Sequence, residues 1–371
     1  MKTHHAAVES LPAVQEHWGA VGAMSLCVTL LIAAEFMPVS LLTPIARDLG
    51  ASDGQAGLAI SISGLFAVVA SLLVTRVCAH HERRHVLMGL ALMMLLSLIL
   101  IALSPNFALL MLARALLGVV VGGFWALATA TLMRLVAPDS VPRALGLMYT
   151  GNAVATAFAA PLGSYLGGII GWRGVFWLLA PLVVLNLVWM AVSLPSMRSE
   201  RPVTQALGLL KRPNVAMAML GVMFTFAGAF CAFTYFRPFL ETRTHTSLPE
   251  LSSLLLALGM AGFVGTTVAS ATLHRHLYRL LRWLPLILAL ITLGLLAMQH
   301  HFWGVALMLT LWGAINAAIP VAWSAWIARG IHNTPESGGG LIVAAIQLAI
   351  MLGAGIGGWL LDNYTIGATL T

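Results

Sequence analysis

Eleven apolar segments run through this chain, each about as long as a bilayer crossing and separated by short polar gaps. They lie near 22–45, 55–78, 86–104, 107–134, 143–169 and 174–195, then near 213–240, 250–272, 280–298, 302–328 and 338–361. A hydrocarbon core about 30 Å thick takes roughly 20 residues of helix to cross. Backbone groups in lipid must bond within their own segment, so segments of this kind are expected to be helices. A soluble alternative fails on charge: only 8% of the 371 residues are charged, against about 25% in soluble domains. The expected fold class is therefore all-α and integral to the membrane.

The basic residues fall mostly in the gaps, which gives an orientation. With the N-terminus inside, fourteen Lys and Arg residues lie on the cytoplasmic side, among them Arg76, Arg83, Arg84, Arg134, Arg143 and Arg329. Arg47, Arg173 and Arg243 fall outside, an asymmetry that follows the positive-inside rule. That placement accounts for the formal charge of +7 without nucleic acid. The N-terminal segment 1–21 is polar and lacks a signal-peptide pattern, so it reads as a cytoplasmic tail. Cys27, Cys78 and Cys231 have neither disulfide nor metal-ligand context. The histidine pairs His80-His81 and His300-His301, and His274 with His276, lack partner ligands, so no metal and no cofactor are expected. The sequence holds neither a phosphate-binding loop followed by Lys-Ser/Thr nor a hydrolase motif, which argues against an ATP-driven pump or an enzyme.

A basic, proline-bearing stretch near 196–212 follows the sixth segment and divides the chain. The expected organisation is a tail (1–21), a six-helix bundle (22–197), a cytoplasmic linker (198–212) and a five-helix bundle (213–371). A repeat supports the division. Trp125 and Trp323 are each followed by a basic residue, Arg134 or Arg329, and then a Pro-acid-Ser turn. Asn152 stands eleven residues before Gly163, as Gln347 stands eleven before Gly358. Repeated halves around a central site suit alternating access. A six-plus-six plan needs one more span, and the twelfth is missing from the sequence.

The polar interruptions carry the chemistry. Glu35 breaks the first segment at a cost on the order of 3 kcal/mol, which marks it as a functional candidate. Helix rise places it about 10 Å below the outer surface, and places Arg114 of the oppositely running fourth segment at about the same depth. The pair suits either proton binding and release or a structural ion pair. Phe226, Phe230, Phe233 and Arg237 are spaced to share one helix face, as either a ring-stacking wall or ordinary packing with a snorkelling Arg. Asn152, Asn316 and Gln347 are uncharged polar groups inside spans, suited to substrate contact or interhelical bonding, and Trp312 is open between stacking and packing. Pro38, Pro161 and Pro320 loosen their helices, and the pairs Gly118/Gly122, Gly163/Gly167 and Gly353/Gly357 permit close helix approach.

Several stretches carry a family likeness. AEFMPVSLLTPIARDLGAS resembles the first-helix signature of the drug–proton antiporter branch of the major facilitator superfamily, and ARALLGVVVGGFWA resembles its Arg-x-x-x-Gly motif. APLGSYLGGIIGWRGVFW is similar to its fifth-helix antiporter motif, while FTYFRPFL, PVAWSAWIAR and GGWLLDN resemble its nucleoside-exporting members. The resemblance implies a two-bundle transporter with eleven of twelve spans, in the bacterial inner membrane as a multi-pass monomer in contact with lipid. It also implies proton-driven export of inosine-like or guanosine-like purine nucleosides and base analogues. Glu35 would then be a coupling residue, Arg114 a relay or gating residue, and Pro161, Gly163 and Gly167 part of the antiporter bend. Export of another solute, such as a sugar or a drug, and a truncated transport-inactive protein remain open. In the loop TRVCAHHERRHV, Thr75 and Ala79 replace the family's Gly and Asp.

Overall fold

The computed structural model describes residues 16–77, 81–197, 206–330 and 335–370. Cys78, Ala79 and His80 of the departing loop motif, most of the linker with Arg198 and Arg201, and the first fifteen residues lie outside the described residues. The described helices are α1 (Trp18–Ser40), α2 (Leu42–Asp48), α3 (Asp53–Val77), α4 (Arg83–Leu103), α5 (Phe107–Met133) and α6 (Val141–Ser193), followed by α7 (Pro213–Phe233), α8 (Phe236–Thr242), α9 (Leu248–Ala297), α10 (Phe302–Gly330) and α11 (Pro335–Asn363).

Among the described residues, ten stretches are long and apolar enough to cross a membrane. One of them, Pro138–Ser193, has 56 residues, roughly twice a single crossing. It folds back at Gly171, where φ is +74°, a conformation that suits glycine, so the described residues hold eleven stretches of spanning length. The turn is pinned from both sides. Trp172 donates to Asp48 at the end of α2 over 3.1 Å, and Arg173 pairs with the same carboxylate and donates to the Ser104 carbonyl at 2.7 Å. α9 likewise joins two spans, with its irregular residue at His276.

Two single-segment expectations are corrected by the backbone. Segment 22–45 is interrupted at Leu41 and segment 213–240 near Tyr235, which share nearly the same dihedral angles (φ −110°, ψ 7° and φ −109°, ψ 16°). The cause is proline. Three residues past each break stands Pro44 or Pro238, whose ring in a continuous helix would strike the carbonyl four residues back and would offer it no N–H. α1–α2 and α7–α8 are thus a second repeated unit.

Hydrophobic packing follows the halves. α1 lies between the two arms of α6, and α3 packs on α5; in the C-terminal half α9 packs on α10 and α7 on α11. One apolar cluster is built from residues 20–197. The other belongs to the C-terminal half but also takes in Val39, Leu42, Ala46, Ala56, Ile60 and Ala160. These six stand toward the end of the bundle marked by Asp48, and there the halves close on each other through α3 with α11 and α6 with α9. Within the N-terminal half, glycine sets the spacing: a Cβ on Gly122 would fall 2.0 Å from the Ala67 carbonyl of α3.

Gly122→Leu is expected to cost about 1–3 kcal/mol through overpacking and to lower the thermal midpoint in detergent. Gly146→Ala, with open space around it, should leave the midpoint in place. A second expectation concerns pH. The hydrogen bond from Arg173, then that from Trp172, holds the Asp48 carboxyl below its ordinary range. A depressed folded value contributes stability above the unfolded value of about 3.9 that is lost as pH falls through the folded one. The stability gap between the parent and Asp48→Asn should therefore persist at neutral pH and close in acid; a gap independent of pH would contradict the pairing.

Candidate functional site

α1 contains a carbonyl with no helical partner. The N–H that would serve Ala34 belongs to residue 38, a proline. Arg114 of α5, fully buried, supplies the missing donor: its Nη1 reaches the Ala34 carbonyl at 3.1 Å. Its Nε donates to the Ala59 carbonyl of α3 at 2.9 Å, and its Nη2 lies 3.1 Å from Glu35 Oε2 and 3.5 Å from the Glu35 carbonyl. A buried guanidinium requires this density of acceptors, and its planar fork serves α1 and α3 at once, joining both to α5.

Glu35 is used unevenly. Its Oε2 accepts from both Arg114 and the Ser63 hydroxyl, the latter at 2.9 Å, while Oε1 is buried without a hydrogen-bond partner. The carboxylate thus has one saturated oxygen and one open oxygen.

Next to Glu35 on α1, Phe36 points into the C-terminal half. Its ring stacks on Phe230 at 5.9 Å and meets Phe233 edge-on at 6.0 Å. Phe233 in turn stacks on Trp312 of α10 at 5.9 Å and 5°. Trp312 is fully buried, with its N–H donated to Thr292 at 3.1 Å and its ring against Phe236 at 4.9 Å. Phe226 is buried on α7. Arg237 does not share that face: the break before Pro238 moves it onto α8, where Nε bonds Glu241 Oε1 at 2.8 Å and Nη1 donates to the Ser40 carbonyl at the end of α1.

The remaining predicted residues are spread over both halves. Asn152 on α6 and Asn316 on α10 are half-buried, and Gln347 on α11 is buried where that helix passes Gly64 of α3. Pro161 is buried in the first arm of α6. Gly163 and Gly167 press on the break after α1: a Cβ there would lie 2.6 Å from Ser40 Oγ and 2.4 Å from Leu41 Cδ2. Ser63, Phe36, Pro44 and Ser40 were not among the predicted residues. Pro44 was legible, since two prolines six apart on one segment open two carbonyls.

The model described as Major Facilitator Superfamily matches residues 24–358. The protein named transcription regulatory protein OpdE, from Pseudomonas aeruginosa, is 46% identical over 358 residues, covering 95% of this chain and 89% of its own. The purine ribonucleoside efflux pump NepI of Salmonella typhimurium is 40% identical over 350 residues, covering 94% and 88%. Among solved structures, the nucleoside transporter NupG aligns with a TM-score of 0.73 at 12% identity, over 95% of this chain and 94% of that one. The D-xylose-proton symporter gives 0.71 at 15%, over 93% and 89%. At such identities these structures show the fold.

The shared carbonyl yields a double-mutant test. Arg114→Lys should lower the thermal midpoint, because an ammonium cannot serve α1, α3 and Glu35 together. Pro38→Ala restores an N–H for Ala34, so it should be more favourable in the Lys background than in the parent, by about 1 kcal/mol. Equal effects in both backgrounds would show that Arg114 and Pro38 act independently.

Proposed function

The chain belongs to the Major Facilitator Superfamily, and from that premise we propose that it exports purine ribonucleosides, inosine-like or guanosine-like, in exchange for protons. It is a multi-span membrane transporter of a small molecule, not an enzyme. The observation that carries the substrate class is 40% identity with a purine ribonucleoside efflux pump along 94% of the chain. In this reading the bacterial inner membrane holds it as a monomer, with the N-terminus in the cytoplasm as the loop charges require.

The geometry supports coupling through Glu35. With Glu35 ionised, Arg114 is shared between the carboxylate and the carbonyls of α1 and α3. Protonation at Oε1 removes the charge that holds Arg114 to Glu35 and weakens one tie between α1 and α5. Phe36, one residue on, is packed on Phe230 and Phe233, so a shift of α1 reaches the aromatic row directly. Proton and substrate thus compete through the position of one helix, which is what antiport demands. The substrate residues of this reading are Phe226, Phe230, Asn152, Asn316 and Gln347: a ring surface for a purine base, and amides for its edge and for ribose hydroxyls. Phe233 and Trp312 back that surface.

The name of the Pseudomonas aeruginosa relative favours a second reading, in which the chain acts on gene expression. Export supplies a route without DNA contact, because a pump that lowers the internal level of a small effector changes transcription indirectly.

Cells producing the chain should export radiolabelled inosine in a protonophore-sensitive manner. Glu35→Gln should lower that export about tenfold or more while equilibrium exchange of inosine persists, since neutralising one carboxylate removes the drive and leaves the site. Inosine retained by cells that hold the chain in the membrane would refute the substrate class. Undiminished, protonophore-sensitive export by Glu35→Gln would refute the coupling residue.

A further inference from the structure

α1 carries a second open carbonyl, and its donor comes from the other half. Pro44 denies an N–H to Ser40, and the Nη1 of Arg237 occupies that carbonyl from α8. The guanidinium is buried and held in place by Glu241. It is a cation set on a helix C-terminus, the end where the helix dipole favours positive charge. A converse contact lies at the same end of the bundle. Asp362, near the end of α11, accepts from the backbone N–H of Gly54 at 3.2 Å and from the Ser52 hydroxyl at 2.6 Å. Both donors belong to the start of α3, so here an anion sits on a helix N-terminus.

We propose that Arg237 and Asp362 are the gate residues of the Asp48 end, each capping from the C-terminal half a helix end that belongs to the N-terminal half. The inference rests on membership of a transporter family that works by alternating access and is independent of substrate and proton coupling. Around the two caps the seal is apolar: Val39, Leu42, Ala56 and Ile60 pack into the cluster of the C-terminal half. Such contacts are non-directional and single out no one register of the two halves. A charged group on a helix end, by contrast, is directional, and separating it breaks a charge-assisted bond and leaves a helix-end backbone group without its partner at once. The two caps therefore give this end two discrete states. The ion pair of Asp48 with Arg173 offers a built-in contrast: it lies at the same end but wholly within the N-terminal half, joining α2 to α6, so opening this end leaves it intact. Arg47 lies within electrostatic reach of Arg237, and Asp53 within reach of Arg237, Glu241 and Asp362, which completes the charged surroundings of the gate.

The test uses a chain in which Cys27, Cys78 and Cys231 are alanine and Ala56→Cys reports from inside the seal, where Ala56 is buried. In detergent, the rate of maleimide reaction reads the fraction of molecules open at this end. Arg237→Gln, Asp362→Asn and Pro44→Ala should each raise the rate about tenfold, as expected for a population shift. Pro44→Ala leaves every charge in place and works by returning an N–H to Ser40, so it reads the gate even where Arg237→Gln fails to fold. Arg173→Gln should react at the parental rate. The proposal is overturned by parental rates in Asp362→Asn and Pro44→Ala while the reporter reacts fully once denatured. It is equally overturned by an increase in Arg173→Gln matching that of the gate variants, which would mean general loosening.

Discussion

One helix with two open carbonyls organises this molecule. Pro38 and Pro44 each remove an N–H from α1, and in lipid no water replaces it, so each carbonyl must find a donor elsewhere in the chain. Arg114 answers the first from within the same half and Arg237 answers the second from the opposite half. The cost of burying two guanidinium groups is offset because each completes backbone bonding that the prolines left undone. α1 is consequently tied to both halves by charged groups, while most of the remaining packing between helices is apolar contact or close approach at small residues.

The repeat is geometric more than chemical. α1–α2 and α7–α8 break with almost the same dihedral angles, each ahead of a proline. If the breaks are aligned, Leu41 matches Tyr235 and Glu35 falls opposite Ala229. The carboxyl group thus belongs to one half, while its counterpart helix supplies the rings Phe230 and Phe233 that receive Phe36. The two halves share a backbone design and divide the polar and aromatic surfaces between them.

Much of this was legible in the sequence, for physical reasons. Segment length against bilayer thickness yields the spans, and helix rise puts Glu35 and Arg114 at one depth, where the structure brings them to 3.1 Å. Hydropathy is blind to breaks inside a segment, so the interruptions at Leu41 and Tyr235 were read through as continuous helix, and Arg237 was assigned to a face it does not share. The caps made by Arg237 and Asp362 join residues 197 and 308 or more positions apart. No local spacing reports such a contact. Ser63 escaped notice for a related reason: a serine inside a span is unremarkable until the carboxylate it serves is seen.

Gly171 has a consequence for how the chain is made. The two arms of α6 are joined by a single residue in a left-handed conformation, with no polar loop for the membrane-insertion machinery to hold between them. They leave the ribosome as one apolar run of 53 residues, about 80 Å if fully helical and more than twice the bilayer core. A run of that length, folded back at Gly171, forms a hairpin of two spans with Arg173 at its tip. The carboxylate that receives this arginine is Asp48 at the end of α2, 125 positions earlier in the chain. The tip of the later hairpin is thus anchored on a carboxylate supplied by the first helices of the chain.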